Sequence, residues 1–150
     1  VQAHFGPLPR PTTARSRTLY TIPPHNETLY SLESDREETQ TTINLFHVSP
    51  SGDQRTVGTY RTQMVERLFA RLLTARFEEV SRQPGAPFIA AQSSRGLFVQ
   101  SANVTTVAAL VPDGGAAAGL NAVLTETERV VRNGFLQSEL DREKLGSQQY

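Results

Sequence analysis

The sequence has no cysteine, no tryptophan and a single methionine, and its acidic and basic residues are equal in number. Without cysteine there is no disulfide framework, no thiolate metal site and no cysteine nucleophile, and the redox compartment is left open. Without net charge, the long-range field that steers a chain to nucleic acid or to an anionic membrane is missing, so neither is expected as a partner. No run approaches the roughly 20 apolar residues of a membrane span. The N-terminal stretch also lacks the continuous apolar core of a signal peptide. Lysine is represented by Lys144 alone, a bias read as background composition.

What is present suits one compact unit. The chain has 150 residues, within the range of about 100 to 200 that one domain occupies. Its apolar fraction of 37%, with seven Phe and four Tyr, fills one core and leaves little for a second. Val1 is not a start residue, so the expectation is a piece of a longer polypeptide.

Pro7, Pro9, Pro11, Pro23 and Pro24 mark the first stretch as a connector, because proline denies a donor to helix and central strand alike. Residues 1–17 are therefore taken as an extended linker and 18–150 as the domain. Thr18 to Ile22 could form a short edge strand. Glu27 to Glu33 and Thr41 to Val48, rich in Thr, Ile, Leu, Phe and Tyr, are predicted as neighbouring antiparallel strands. In the second, Ile43, Leu45 and His47 share one face and Asn44, Phe46 and Val48 the other.

Val65, Leu68, Phe69, Leu72, Leu73, Phe77 and Val80 recur at three- and four-residue steps. They predict an amphipathic helix over 59–82, stopped by Gln83-Pro84-Gly85. Pro87 to Gln92, Leu97 to Gln100 and Val104 to Val111 read as strands, the middle run being a possible continuation of the first. Asp113 is the expected cap of a second helix with the stripe Ala117, Leu120, Val123, Leu124, Thr127, Val130 and Val131. Asn133-Gly134 ends that helix, and a last one begins near Phe135 and is expected to be truncated by Tyr150. The predicted class is α+β, with an antiparallel sheet, helices on one face and the order β-β-α-β-β-α-α.

Catalytic signatures are defined by residue type and spacing. Histidine occurs only at His4, His25 and His47, so the inverted zinc motif His-x-x-Glu-His, which sets two imidazoles four apart on one helix face, is absent. A site built from His25 and His47 would need the fold to bring them together. The simpler reading is a loop residue and a strand residue. There is no Gly-x-Ser-x-Gly elbow, and Gly114-Gly115 lacks the lysine and spacing of a phosphate loop. Arg95-Gly96-Leu97-Phe98-Val99-Gln100 falls one residue short of the strand motif with which RNA-binding modules stack bases. Two glycosylation sequons, Asn26-Glu27-Thr28 and Asn103-Val104-Thr105, occur at chance frequency.

Several stretches together resemble the bacterial branch of the pitrilysin, insulin-degrading enzyme and mitochondrial processing peptidase family. They are Ile22-Pro23-Pro24-His25-Asn26-Glu27-Thr28-Leu29, Val65-Glu66-Arg67-Leu68-Phe69, Ala75-Arg76-Phe77-Glu78-Glu79, Pro87-Phe88, Leu110-Val111 with Gly114-Gly115, and Arg132-Asn133-Gly134-Phe135 with Glu139-Leu140 and Lys144. The resemblance implies a chain of repeated α+β domains forming two halves around a chamber, with the zinc motif in the first domain. This chain looks like the second, non-catalytic domain. One departure is Leu136, where the family's last helix carries a polar cap.

What the resemblance implies is a structural and substrate-chamber domain of a zinc metalloendopeptidase that degrades peptides or unfolded chains. Zinc would lie in the parent's first domain and no cofactor in this piece, which would be inactive alone. Its partners would be the parent's other domains, a peptide substrate and, in a homo-oligomer, a second copy, in a periplasmic or exported setting. Relatives anchor substrate by adding a strand to a sheet edge, and the matching stretch is Ile89, Ala90, Ala91 and Gln92. The competing view is that Ala90 and Ala91 let a helix pack close to the sheet. Relatives also supply an Arg and a Tyr to the catalytic centre; here Phe88 lacks the hydroxyl and Arg82 is read as a surface residue. The alternative function is an interaction or scaffold subunit that kept the fold and lost proteolysis. A small-molecule-binding domain would require a closed pocket that no sequence feature suggests.

Overall fold

The computed structural model describes residues 5–7, 13, 15–52 and 55–147. Most of the proposed linker, with His4, and the terminal residues 148–150 lie outside that set. Along the described chain run β1 (Thr41–Pro50), α1 (Val57–Ser81), β2 (Ala90–Val99), β3 (Ala102–Val111), α2 (Ala116–Asn133) and α3 (Gln137–Ser147). The three strands form one antiparallel sheet in the order β1-β3-β2. This is an α+β arrangement, as the patterning predicts.

The period-two reading of β1 holds for Ile43 and Leu45, which turn to the core opposite Ala109 and Val107 of β3 while Phe46 faces outward, but His47, expected on the same face, is exposed. On β2 the inward position next to Ala109 is Ala91. Helix α1 lies along β2, and α2 lies over β3 and β1. Between helices and sheet sit Leu73, Phe77, Phe88, Ala91, Ala109, Val111, Val123 and Val130. The rings of Phe77 and Phe88 meet edge to face at 6.1 Å, and both are fully buried.

Four sequence expectations are corrected. No strand forms at 18–22 or 27–33. The side chains there are exposed, and the hydrogen bonds are largely local, as in the 2.7 Å contact of His25 Nδ1 with Glu27 O and the 3.0 Å bond from Ser31 Oγ to Glu33 Oε1. A run with strand composition still needs a partner to supply its ladder. Among the described residues the outer side of β1 has none, so β1 is an edge. The stretch Ser93 to Gly96 is not a turn but the continuous middle of β2.

Helix α2 is capped by Gly115 without a side-chain bond, and not by Asp113. Gly114, at φ 72°, makes the tight turn that leads into it. The buried face of α2 is also rotated from the expected stripe. It carries Gly119, Val123, Glu126 and Val130, while Leu124 and Val131 are exposed. Periodicity could not find this face because two of its four residues are a glycine and a carboxylate. Gly119 is there because the helix crosses the sheet so closely that a Cβ would run into Val111 Cγ1. Glu126 is there because Arg76 and Arg129 neutralise it.

Helix α3 begins at Gln137, just beyond Leu136. The unexpected leucine is accommodated from the other end of a capping box: Glu139, three residues on, accepts a 2.6 Å bond from the Leu136 amide. No polar side chain is needed at the cap itself.

Candidate peptide-docking edge

The stretch Ile89 to Gln92 enters and begins β2, which among the described residues pairs with β3 alone. It is therefore on an edge of the sheet. Ile89 is 60% exposed and its amide donates to Leu110 O at 2.8 Å. Ala90 and Gln92 are exposed, and Ala91 is 8% exposed inside the core. The two alanines thus differ: Ala91 is small where helix and sheet close together, whereas Ala90 faces outward.

Which main-chain groups the edge offers follows from one helix residue. The Ser93 amide donates to Thr74 Oγ1 at 2.9 Å, and the Thr74 hydroxyl lies 3.2 Å from Ser93 O and 2.9 Å from Ala70 O. In an antiparallel pair, residues alternate between those whose N–H and C=O both face the neighbouring strand and those whose groups both face away. Since the groups of Ser93 are engaged by α1, the odd residues Ala91, Ser93 and Arg95 face away from β3. The even residues Ala90, Gln92 and Ser94 face it. Within Ile89–Gln92, Ala91 alone directs both its N–H and its C=O away from β3, to the side along which α1 packs. The hydroxyl of Ser93 is buried with no hydrogen-bond partner. No sequence signal marked Thr74, because its role depends on where α1 lies against the strand.

Beyond the edge, Arg95 is held by Glu66 at 2.6 Å, Thr105 Oγ1 at 2.7 Å and Ser49 Oγ at 3.3 Å. It ties α1 to all three strands. This explains the arginine of the near-match to the RNA motif as a structural crosslink on the inward face of the sheet.

A second ionic cluster locks the helices. Arg76 reaches Glu139 at 2.8 Å, Glu126 at 3.3 Å and the Gly134 carbonyl at 3.2 Å, and its guanidinium lies 5.3 Å from the centre of the Phe135 ring. Phe135 in turn meets Phe69 edge to face at 5.5 Å. The hydrogen bond from Arg76, more than any other contact, holds the Glu139 carboxyl below its ordinary range, against an opposing push from burial. The Arg76 guanidinium is raised, chiefly by the same bond.

The remaining sequence candidates are placed as follows. His25 is exposed and bonded within its own loop, and His47 is exposed on β1. Among the described residues no group of three His, Asp or Glu side chains could hold a metal ion. The side chains here therefore do not fit a zinc site. Phe88 is a core residue packed on Phe77. Arg82 is exposed and pairs with Glu78 at 3.3 Å.

A two-layer α+β unit with an incompletely paired sheet edge is the class defined by this geometry. No family model matches the sequence. Over 99 residues, 66% of the chain, it is 24% identical to a protein of Arabidopsis thaliana described as "Zinc protease PQQL-like". Its fold matches the first half of the periplasmic protease PqqL from Escherichia coli with a TM-score of 0.68 at 17% identity, over 75% of this chain. It matches a second structure of that protease with a TM-score of 0.64 at 19% identity, over 73% of this chain. The chain thus resembles part of a PqqL-type zinc protease in both sequence and fold, in agreement with the likeness carried by its motifs. It spans 10% of the plant protein and 24% and 12% of the two bacterial chains. Among the described residues no helix is long and apolar enough to cross a membrane.

Proposed function

We infer that this chain is a non-catalytic wall and substrate-docking domain of a pitrilysin-type zinc peptidase, with the zinc and its ligands on another domain of the same parent. The reading rests on one observation above the others: a domain with the fold of part of PqqL ends its sheet on an outer strand, β2, whose entry residues Ile89 and Ala90 are exposed. An extended peptide can add to such an edge through main-chain bonds, which are indifferent to sequence. That suits a protease acting on unfolded chains. The catalytic domain elsewhere in the parent would supply hydrolysis, while this domain would hold substrate and line the chamber. The described name of the bacterial neighbour supports an exported, periplasmic setting for the parent.

The test is amide hydrogen exchange on the full parent protein, with and without a saturating peptide that resists cleavage. Docking on β2 slows exchange at Ala91. Unchanged exchange at that amide, with peptide demonstrably bound, removes β2 as the docking edge. A parent that docks peptide yet never cleaves it would instead be a scaffold with a peptidase fold.

A further inference from the structure

We propose that the exposed first half of α1 is the seat of an acidic amphipathic helix from the parent chain beyond Tyr150, packed in line with α3. The proposal rests on the longer parent of the functional reading and not on where peptide docks, so each can fail without the other. Val57, Tyr60, Met64 and Leu68 recur at three- and four-residue steps and share one face of α1. Val57 is 86%, Tyr60 59% and Met64 45% exposed, while Leu68, nearest the packed half of the helix, is half-buried. A row of large apolar side chains left bare on one face marks a surface that another element covers.

What covers it follows from the interface already formed farther along the same helix. There α3 meets α1 at Arg76 through Glu139 at 2.8 Å and at Arg71 through Glu143 at 3.1 Å, with Leu72 buried between the two arginines. Rising numbers on α3 face falling numbers on α1, so α3 runs antiparallel to α1 and is aimed at its exposed half. A Cβ at Gly146, near the end of α3, would lie 3.2 Å from the Arg71 guanidinium. The chemistry of the docked half repeats ahead of it. Arg67 stands one turn from Met64 and from Arg71, and Arg61 one turn from Val57 and Met64, so the two flank the apolar row. Both are exposed, and neither has an ion-pair partner among the described residues. Where α3 sits, carboxylates meet arginines beside a buried leucine; the bare half offers arginines and apolar side chains without the carboxylates. The occupant is therefore a helix whose apolar stripe is flanked by Asp or Glu, and the line of α3 assigns it to the same chain. Such pairs add little affinity at a surface, but they select against a basic partner.

The test uses the full parent protein with the photoreactive residue p-benzoylphenylalanine in place of Tyr60. Irradiation followed by peptide mass spectrometry should join that position to a later segment of the same chain, one with Asp or Glu at three- or four-residue steps. No crosslink, a crosslink to a separate polypeptide, or one to a segment without such carboxylates overturns the proposal. The charges are tested separately, also in the parent. Arg61→Glu with Arg67→Glu should speed amide exchange across 57–68 by about tenfold, the effect of reversing two surface ion pairs on a local opening equilibrium. Arg61→Lys with Arg67→Lys keeps the charge and should exchange as the wild type does. Both arginines are exposed, so neither pair of substitutions removes a core contact. Charge reversal that leaves exchange across 57–68 unchanged means that no acidic partner stands opposite, and the proposal falls.

Discussion

At the scale of the residue, the positions that matter most are those whose chemistry is unusual for their place. Gly119 sits on a buried helix face because Val111, Ile43 and the Pro87 carbonyl crowd the space a side chain would fill. Gly119→Ala gains helix propensity, but the overpacking cost of about 1 to 3 kcal/mol outweighs it. The variant is expected to unfold at lower urea concentration than the wild type. Glu126 is 7% exposed and keeps its charge by facing Arg76 and Arg129. Arg76→Met leaves two carboxylates short of a partner and should cost about 2 to 3 kcal/mol. Adding Glu126→Gln should recover part of that loss, and a double-mutant cycle measured by denaturant titration reads the coupling directly.

At the scale of the element, α3 depends on Glu139 twice: the carboxylate caps the helix through the Leu136 amide and docks it on α1 through Arg76. Glu139→Gln should fray α3, seen as faster amide exchange across Gln137–Ser147, while the sheet amides stay protected. The pH dependence follows from the same group. Its pKa in the folded chain lies below the ordinary 4.5, so the unfolded chain takes up a proton first as pH falls. The stabilisation from Glu139 is therefore complete above about pH 4.5 and is lost as pH drops through the depressed folded value. Arg76 stays charged throughout. Thermal melts from pH 6 down to pH 3 should show the wild type losing stability more steeply than Glu139→Gln. Equal slopes would mean that another carboxylate controls acid unfolding.

At the scale of the whole molecule, the sheet has three strands with helices on one face, and both outer strands end the sheet among the described residues. His25 and His47 are exposed, and the described side chains offer no metal group. A parent protein carrying His25→Ala and His47→Ala together should keep its zinc content by elemental analysis and its rate on unfolded peptides. Loss of one equivalent of zinc in that variant would place the metal on this domain after all.

The sequence by itself determined the α+β class, the alternation that turns Ile43 and Leu45 inward, and the long amphipathic helix with its stop at Gln83-Pro84-Gly85. Each is a local pattern of apolar spacing, proline or glycine, and local patterns survive without knowledge of neighbours. Only the tertiary structure decided that 27–33 has no strand to pair with, that α2 buries a glycine and a glutamate, and that Glu139 caps α3 behind Leu136. It alone placed Thr74 against Ser93. The physical reason is common to all four: whether a main-chain group, a carboxylate or a glycine is tolerated depends on which partner stands within about 3 Å of it, and those partners come from distant parts of the chain.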